Sequence, residues 1–327
     1  MGLLLALSFA SVALFSIFYQ VPDVEVFLIP TFLVWALWMG VGFAAVWESS
    51  TALTDRFSHL RVPTARGVLY LALLLAGALL PLYLWRSNRG EIDRSQHWEV
   101  HDYGEDILSQ PLEEDAVVVG ILGEMTLLNY FQATEGLRPE LTTIPADGED
   151  ERLAEVKAQM DAGRPVYLTR PLPGVEDEYH LSSVGRLIRA RERPVSVTDG
   201  PSHPLALPFG ESILLTGYDA ELRDTNAGSR LRVTLYWQAI DAMDEDYKVS
   251  VRLLDERGHL GAVEDAYPVG DAYRTNAWRS GETIIDTHDL SILAGLPPRE
   301  YGIHVTMYDP ETLAPLASAP VGNVSLG

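Results

Sequence analysis

The chain opens with three long apolar stretches, Gly2–Phe18, Val24–Trp47 and Gly67–Trp85, none of which contains a lysine or arginine. A helix needs roughly 20 apolar residues to cross a bilayer, and Trp35, Trp38 and Trp47 suit a headgroup boundary. The pattern predicts three transmembrane helices, about residues 2–18, 24–47 and 67–85, in a membrane region 1–92. A signal peptide is the alternative for the first stretch, but it has no basic lead and no small-x-small cleavage site before a polar segment. A chain that begins directly in a span reads as a piece of a longer polytopic protein. The loop Glu48–Arg66 holds Arg56, Arg61, Arg66 and His59, whereas Tyr19–Glu25 is acidic. The positive-inside rule then puts the first loop in the cytoplasm and everything after Arg86 on the extracytoplasmic side of a bacterial cell membrane.

Beyond residue 92 the apolar runs shorten. Ala116–Ile121 is continuous, as a strand covered on both faces requires. Gly123–Thr134 places Leu127, Leu128 and Phe131 on one helical face, with Gly136 at a C-cap position. Leu141–Ile144 reads as a second strand. Glu151–Ala162 reads as an amphipathic helix with Leu153, Val156 and Met160 inward, capped by Asp147 or Asp150 and stopped at Gly163. Val166–Thr169 is a third strand. The order β-α-β-α-β predicts a small α/β domain, residues 93–194, with parallel strands.

Residues 195–204 lie in a proline-rich run and read as a linker. From 205 to 327 the period becomes two. Leu231, Val233, Leu235 and Trp237 alternate with Arg232, Thr234, Tyr236 and Gln238, and Val249–Leu253 and Ile303–Met307 repeat the pattern. Glycine- and proline-rich turns separate these segments, which predicts an antiparallel β-sandwich. The expected fold is therefore a multi-domain membrane protein: three transmembrane α-helices, a small α/β (βαβαβ) domain and an antiparallel β-sandwich.

Composition refines this picture. The 327 residues include 24 basic and 46 acidic side chains, a net charge of −22, and no cysteine. Residues 1–86 hold four of each sign, so the rest holds 24 − 4 = 20 basic and 46 − 4 = 42 acidic residues. An acidic surface repels phosphate backbones, which argues against nucleic acid as a partner. Without cysteine an exported part has no disulfide staples and relies on its own cores, which suits a prokaryote.

Catalytic signatures are missing: there is no G-x-S-x-G, H-E-x-x-H or Walker loop, and eight histidines are scattered singly. No cofactor or metal site is expected. Parallel α/β sheets bind ligands beyond the carboxyl ends of their strands. That edge here carries Gly120, Gly123, Glu124, Asp147 and Arg170. Gly120-x-x-Gly123 resembles part of a phosphate loop but lacks its third glycine and Lys-Ser/Thr. In the sandwich, Trp278, Tyr273, Tyr267 and Tyr236 are candidates for stacking on pyranose faces, the alternative being that they plug the core and rim the sheets. The acid pairs Asp244/Asp246 and Asp286/Asp289 offer calcium ligands or ordinary exposed turns. Asp23 and Glu25, in the loop placed at the outer membrane surface, are the candidate base for an acceptor hydroxyl, or simply mark the end of a helix.

The segment Tyr19–Gly42, YQVPDVEVFLIPTFLVWALWMGVG, resembles the late membrane segments of the bacterial family called domain of unknown function 2723 (DUF2723), itself similar to the protein O-mannosyltransferase group of GT-C glycosyltransferases. Leu214-Leu215-Thr216-Gly217-Tyr218, Leu235-Tyr236-Trp237-Gln238, Trp278-Arg279-Ser280-Gly281-Glu282 and Leu296–Tyr301 resemble the sandwich appended to such proteins. The resemblance implies sugar transfer from a polyprenyl-phosphate-linked donor. It implies as partners the lipid bilayer, a glycan or polyprenyl-linked sugar, and a separate polytopic membrane subunit. The family keeps its catalytic acid in an early outer loop, and nothing here matches that loop, so no catalytic residue carries over. Three functions are expected: the C-terminal portion of a GT-C-like glycosyltransferase, a non-catalytic, membrane-tethered carbohydrate-binding or envelope scaffold protein, or an assembly subunit whose missing spans come from a separate chain.

Overall fold

The computed structural model describes residues 2–19, 24–56, 63–195 and 200–326. They fall into two compact units, Met1–Asp93 and Arg94–Gly327.

The first unit is helical: α1 (Gly2–Phe18), α2 (Val24–Phe27), α3 (Ile29–Arg56) and α4 (Pro63–Ile92). Rings hold α1 to α2 and α3, with Phe9 and Trp38 5.3 Å apart and Phe15 and Phe27 6.1 Å apart. Ser16, buried at this junction, donates from its hydroxyl to Val12 O at 2.8 Å and to Phe27 O at 3.3 Å. The expectation of three transmembrane helices is corrected here: among the described residues no helix is long and apolar enough to cross a membrane. At 1.5 Å per residue the 17 residues of α1 reach only ~26 Å, short of a hydrocarbon core of ~30 Å. The second apolar stretch is broken at Leu28, and α3 then runs on to take Glu48, Asp55 and Arg56 into the same helix. Likewise α4 takes in Arg66, Arg86, Arg89 and Glu91 around its apolar centre. Large side chains such as Leu3, Phe18, Leu33 and Trp35 lie exposed on this unit.

The second unit begins with α5 (Glu99–Ser109) and a five-stranded sheet. Its elements are β1 (Val117–Gly120), α6 (Leu122–Glu135), β2 (Thr142–Pro145), α7 (Glu149–Asp161), β3 (Val166–Leu168), α8 (Val175–Glu178), β4 (His180–Val184) and β5 (Leu187–Arg191). Strand order is β2-β1-β3-β5-β4, with β1 parallel to β2 and β3. The hairpin β4–β5 joins antiparallel on β3. Val117, Val118 and Val119 are fully buried, as a run covered on both faces must be. α6 buries Met125, Leu128 and Phe131 and ends at Gly136, whose φ of 68° only glycine adopts freely. The N-cap of α7 is Gly148, not an aspartate.

The sandwich follows: β6 (His203–Phe209), β7 (Ile213–Thr225), β8 (Gly228–Ala239), β9 (Lys248–Leu254), β10 (Leu260–Ala266), β11 (Thr283–Ser291), β12 (Arg299–Tyr308) and β13 (Pro315–Leu326). They form two antiparallel four-stranded sheets, β10-β9-β12-β13 and β11-β8-β7-β6. Leu231, Val233, Leu235 and Trp237 of β8 turn inward to meet Val249, Val251, Leu253, Ile303, Val305 and Met307 of the facing sheet, and all are fully buried. The outer face of β11 is turned toward the hairpin β4–β5, where Arg186 reaches Asp289 at 3.1 Å. One core runs through both halves of this unit.

Candidate functional site

The seam between the α/β sheet and the sandwich is built from charge. Gly104 fixes α5 against α6, because a Cβ there would come within 2.5 Å of the Phe131 ring. That contact leaves Asp102, Asp106 and Ser109, one helical stripe, facing the tip of the β7–β8 hairpin. Asp102 accepts from Asn226 Nδ2 at 2.8 Å and from the Ala227 amide at 2.7 Å, so it caps the hairpin tip. These hydrogen bonds outweigh the opposing effect of burial and hold its carboxyl below the usual range.

One turn further along, Asp106 accepts from Arg223 and from Arg232 at 2.7 Å, and Arg186 stands 3.4 Å from it as an ion pair. Arg232 also grips Asp289 through two hydrogen bonds of 2.8 Å, and Arg186 reaches the same carboxylate at 3.1 Å. The backbone dictates this convergence. Arg223, Arg230 and Arg232 share the outer parity of β7 and β8, and Asp289 lies directly across from Arg232 on β11. Arg186 occupies the two-residue turn of the β4–β5 hairpin, where Gly185 takes a φ of 57°. Burial pushes the carboxyl of Asp289 up, but Arg232 and Arg186 win and hold it below the usual range.

These groups floor a cleft of about 440 Å³. Its walls add Tyr103, Ser109, Thr225 and Asn226, and its rim carries the exposed Glu99 and Glu105. Burial, with help from the charge of Glu124, raises the Tyr103 hydroxyl to about 12, so it stays a proton donor. A second cavity of about 260 Å³ lies on the other side of Arg186, Arg230 and Asp289 and includes Ser183, Glu264 and Thr287. At the cleft's edge His101, Asp102 and Glu105 bring one ligand atom each within 4.8 Å of one another, a group able to hold a cation.

The candidates singled out in the sequence lie elsewhere. Trp278 is 2% exposed and donates its indole N–H to Tyr273 O at 3.1 Å. Tyr273 is fully buried and donates to Glu282 at 2.9 Å, and burial together with that carboxylate raises its pKa. Neither ring has a face open to a sugar. Tyr267 has Arg274 over its ring at 4.2 Å and Lys248 at 4.9 Å. Tyr236 donates to Asp219 at 2.7 Å. Asp286 and Asp289 sit on opposite faces of β11 and cannot share an ion. Asp246 pairs with Arg274 at 3.1 Å. Asp23 and the Glu25 side chain lie outside the described residues.

The carboxyl edge of the parallel strands does gather Glu124, Asp147 and Arg170, in a closed arrangement. Glu124 accepts from Arg170 at 2.7 Å, from Thr169 at 2.5 Å and from the Ile121 amide at 3.3 Å, while Asp147 accepts from the Leu122 amide at 2.8 Å. The amides a phosphate would need are already taken by carboxylates, which disfavours an anion there. The seam itself was missed, because only the tertiary fold joins Asp106 to Arg232; the outward parity of Arg230, Arg232 and Asp289 was its one sequence signal.

No protein-family model matches the chain, and no curated protein matches it. Solved structures with partial similarity include a β-glucuronidase from glycoside hydrolase family 2, at 15% identity over 34% of this chain and 11% of that enzyme, with a TM-score of 0.25. The C-terminal domain of wzt matches at 7% identity over 40% of this chain and 84% of that domain, with a TM-score of 0.27. A domain of the outer membrane lipoprotein Omp28 from Porphyromonas gingivalis matches at 16% identity over 37% of this chain and 93% of that domain, with a TM-score of 0.22.

Proposed function

We propose that the chain is a non-catalytic carbohydrate-binding protein of the cell envelope, with an extracytoplasmic glycan held in the seam cleft. The observation that supports this reading is the make-up of the cleft wall. Guanidiniums, an amide, hydroxyls and carboxylates stand side by side around one tyrosine ring in about 440 Å³, within the range of about 300–1,000 Å³ usual for small-ligand sites. Sugar hydroxyls donate and accept together, so they satisfy such a mixed wall, whereas an apolar ligand would leave its groups unpaired.

Binding without chemistry is supported by the state of one floor carboxylate, Asp289. Asp289 is ionised and gripped by two arginines, so it has no proton to give a leaving group.

Glycan-array binding by the full chain, followed by calorimetric titration of the best-bound glycan, tests the reading. Ser109→Trp extends an indole into the cleft from the exposed end of α5. Affinity is expected to fall at least tenfold while the melting temperature holds. Undiminished binding by this variant would remove the ligand from the cleft, and an array with no bound glycan would end the reading.

A further inference from the structure

The helical unit exposes apolar surface on a scale that the rest of the chain does not. Among the described residues, most of the large apolar side chains that stand exposed belong to this unit, although it is under a third of the sequence. Single exposed leucines are ordinary, but a contiguous apolar surface beyond a few hundred Å² is one that something covers.

The pattern on each helix tells what kind of cover fits. A helix at a water surface turns apolar residues inward and polar ones outward. On α1 the stripe Leu5, Phe9, Val12 and Ser16 is half-buried or buried, and the opposite side, with Leu7, Leu14 and Ile17, is apolar and exposed. α3 repeats this, with Val34 buried and Phe32, Leu33 and Trp35 beside it exposed. On α4 the exposed residues Leu82, Tyr83, Leu84 and Trp85 are consecutive. At about 100° per residue, four such positions take in the whole circumference of the helix. A second copy or a protein partner covers one face of such a unit. Surfaces apolar on the outward sides of α1 and α3 and all round α4 call for an apolar medium.

Charge agrees with this. No Asp, Glu, Lys or Arg falls between Gly2 and Phe18 or between Val26 and Trp47, so these segments offer a partner no ion pair. Charge returns directly beyond Trp85. Arg86 and Arg89 are exposed there, and the Arg89 guanidinium lies 5.1 Å from the centre of the Trp85 ring. An indole and a guanidinium at the end of an apolar segment suit a headgroup layer, with the ring toward hydrocarbon and the cation toward phosphate.

We propose that the helical unit seats in the hydrocarbon of a phospholipid bilayer, with Trp85 and Arg89 at headgroup level. Seating does not demand a crossing, which no described helix is long and apolar enough to make; helices sunk from one face meet the same hydrocarbon. Lipid seating goes beyond glycan binding and does not depend on it.

The natural chain has no cysteine, so one introduced at an exposed position carries a unique label. Full chains with Leu33→Cys, Leu84→Cys or, as the control on α6, Leu122→Cys are labelled with nitrobenzoxadiazole, whose emission moves to the blue in hydrocarbon. Each is mixed with vesicles of phosphatidylethanolamine and phosphatidylglycerol during detergent removal and floated on a density gradient. The chain is expected to float with the vesicles. The labels at positions 33 and 84 are expected to shift to the blue and to be quenched by brominated acyl chains, while the label at 122 keeps its aqueous emission. A chain left at the bottom of the gradient would overturn the proposal, and so would aqueous emission from positions 33 and 84 in a floated chain. Shielding of those two labels in a discrete oligomer without vesicles would assign the cover to a second copy instead. Equal blue shifts at all three positions would mean indiscriminate insertion of the whole chain, which also overturns it.

Discussion

The two faces of the sheet β11-β8-β7-β6 both carry charged side chains, and they use them differently. On the inner face Asp286 and His288 are buried inside the sandwich. Asp286 accepts from the Val269 amide at 2.7 Å and from Trp237 Nε1 at 3.3 Å, and its other contact is His288 Nε2 at 2.9 Å. Glu264 of the opposite sheet lies 3.7 Å from His288 Nδ1. On the outer face four arginines and six carboxylates line one cleft. Burial confines the inner set to partners among its own members, with His288 Nδ1 and Glu264 Oε2 left without a hydrogen bond, while the seam opens to water through the cleft.

The largest effect that would sharpen this contrast is expected at the inner core. Trp278→Ala removes a fully enclosed indole and should cost about 3–5 kcal/mol of stability by denaturant unfolding. A loss below about 1 kcal/mol would mean that the ring does not hold the sandwich closed. Next comes the knot of the seam. Asp106→Ala strips three arginines of a shared, largely buried carboxylate and should cost about 3 kcal/mol. If stability is retained, the seam is an incidental contact and not a lock.

A smaller effect is expected from pH. Burial opposes the charge on His288, but Asp286 and Glu264, with Asp289 beyond, prevail and raise its pKa above the ordinary histidine value. A raised pKa means that the imidazolium contributes its stability in full below about pH 6.5, the unfolded value. That contribution is lost as pH climbs through the folded value, with a slope of up to ~1.4 kcal/mol per pH unit for one proton. Urea midpoints measured from pH 6 upward should fall in the natural chain and lie flatter in His288→Gln; identical slopes would place the proton elsewhere. The smallest effect concerns Arg230, whose replacement by alanine should leave stability within about 0.5 kcal/mol, since no partner is lost. A large loss would show that Arg230 serves the fold and would blur the distinction between the faces.

A second contrast lies between the helical unit and the rest. Apolar content alone suggested three spans, but helix length and the extent of each helix depend on where polar residues join it, as Glu48 and Asp55 do in α3 and Arg89 and Glu91 in α4. The aromatic candidates failed for a related reason. Composition shows that Trp278 and Tyr273 lie in a loop-rich stretch, but not that Glu282, His180 and Arg279 close over them. His180 Nδ1 meets Glu282 at 2.6 Å and its Nε2 accepts from Arg279 at 2.8 Å, across about a hundred residues of chain.

What the sequence determined by itself is local and periodic. Alternation decided that Leu231, Val233, Leu235 and Trp237 face inward and that Arg230, Arg232 and Tyr236 face outward, because successive side chains of a strand point to opposite faces. Continuous apolar runs located Val117–Gly120 and Val166–Leu168, and Gly136 ended α6 because its positive φ suits glycine. Only the tertiary structure decided which outward charges meet. The turn at Gly185, the close packing at Gly104 and the register of β8 with β11 bring Asp106, Arg186, Arg232 and Asp289 to one point. Distances between residues more than a hundred positions apart follow from the packing of whole layers, and no local pattern encodes them.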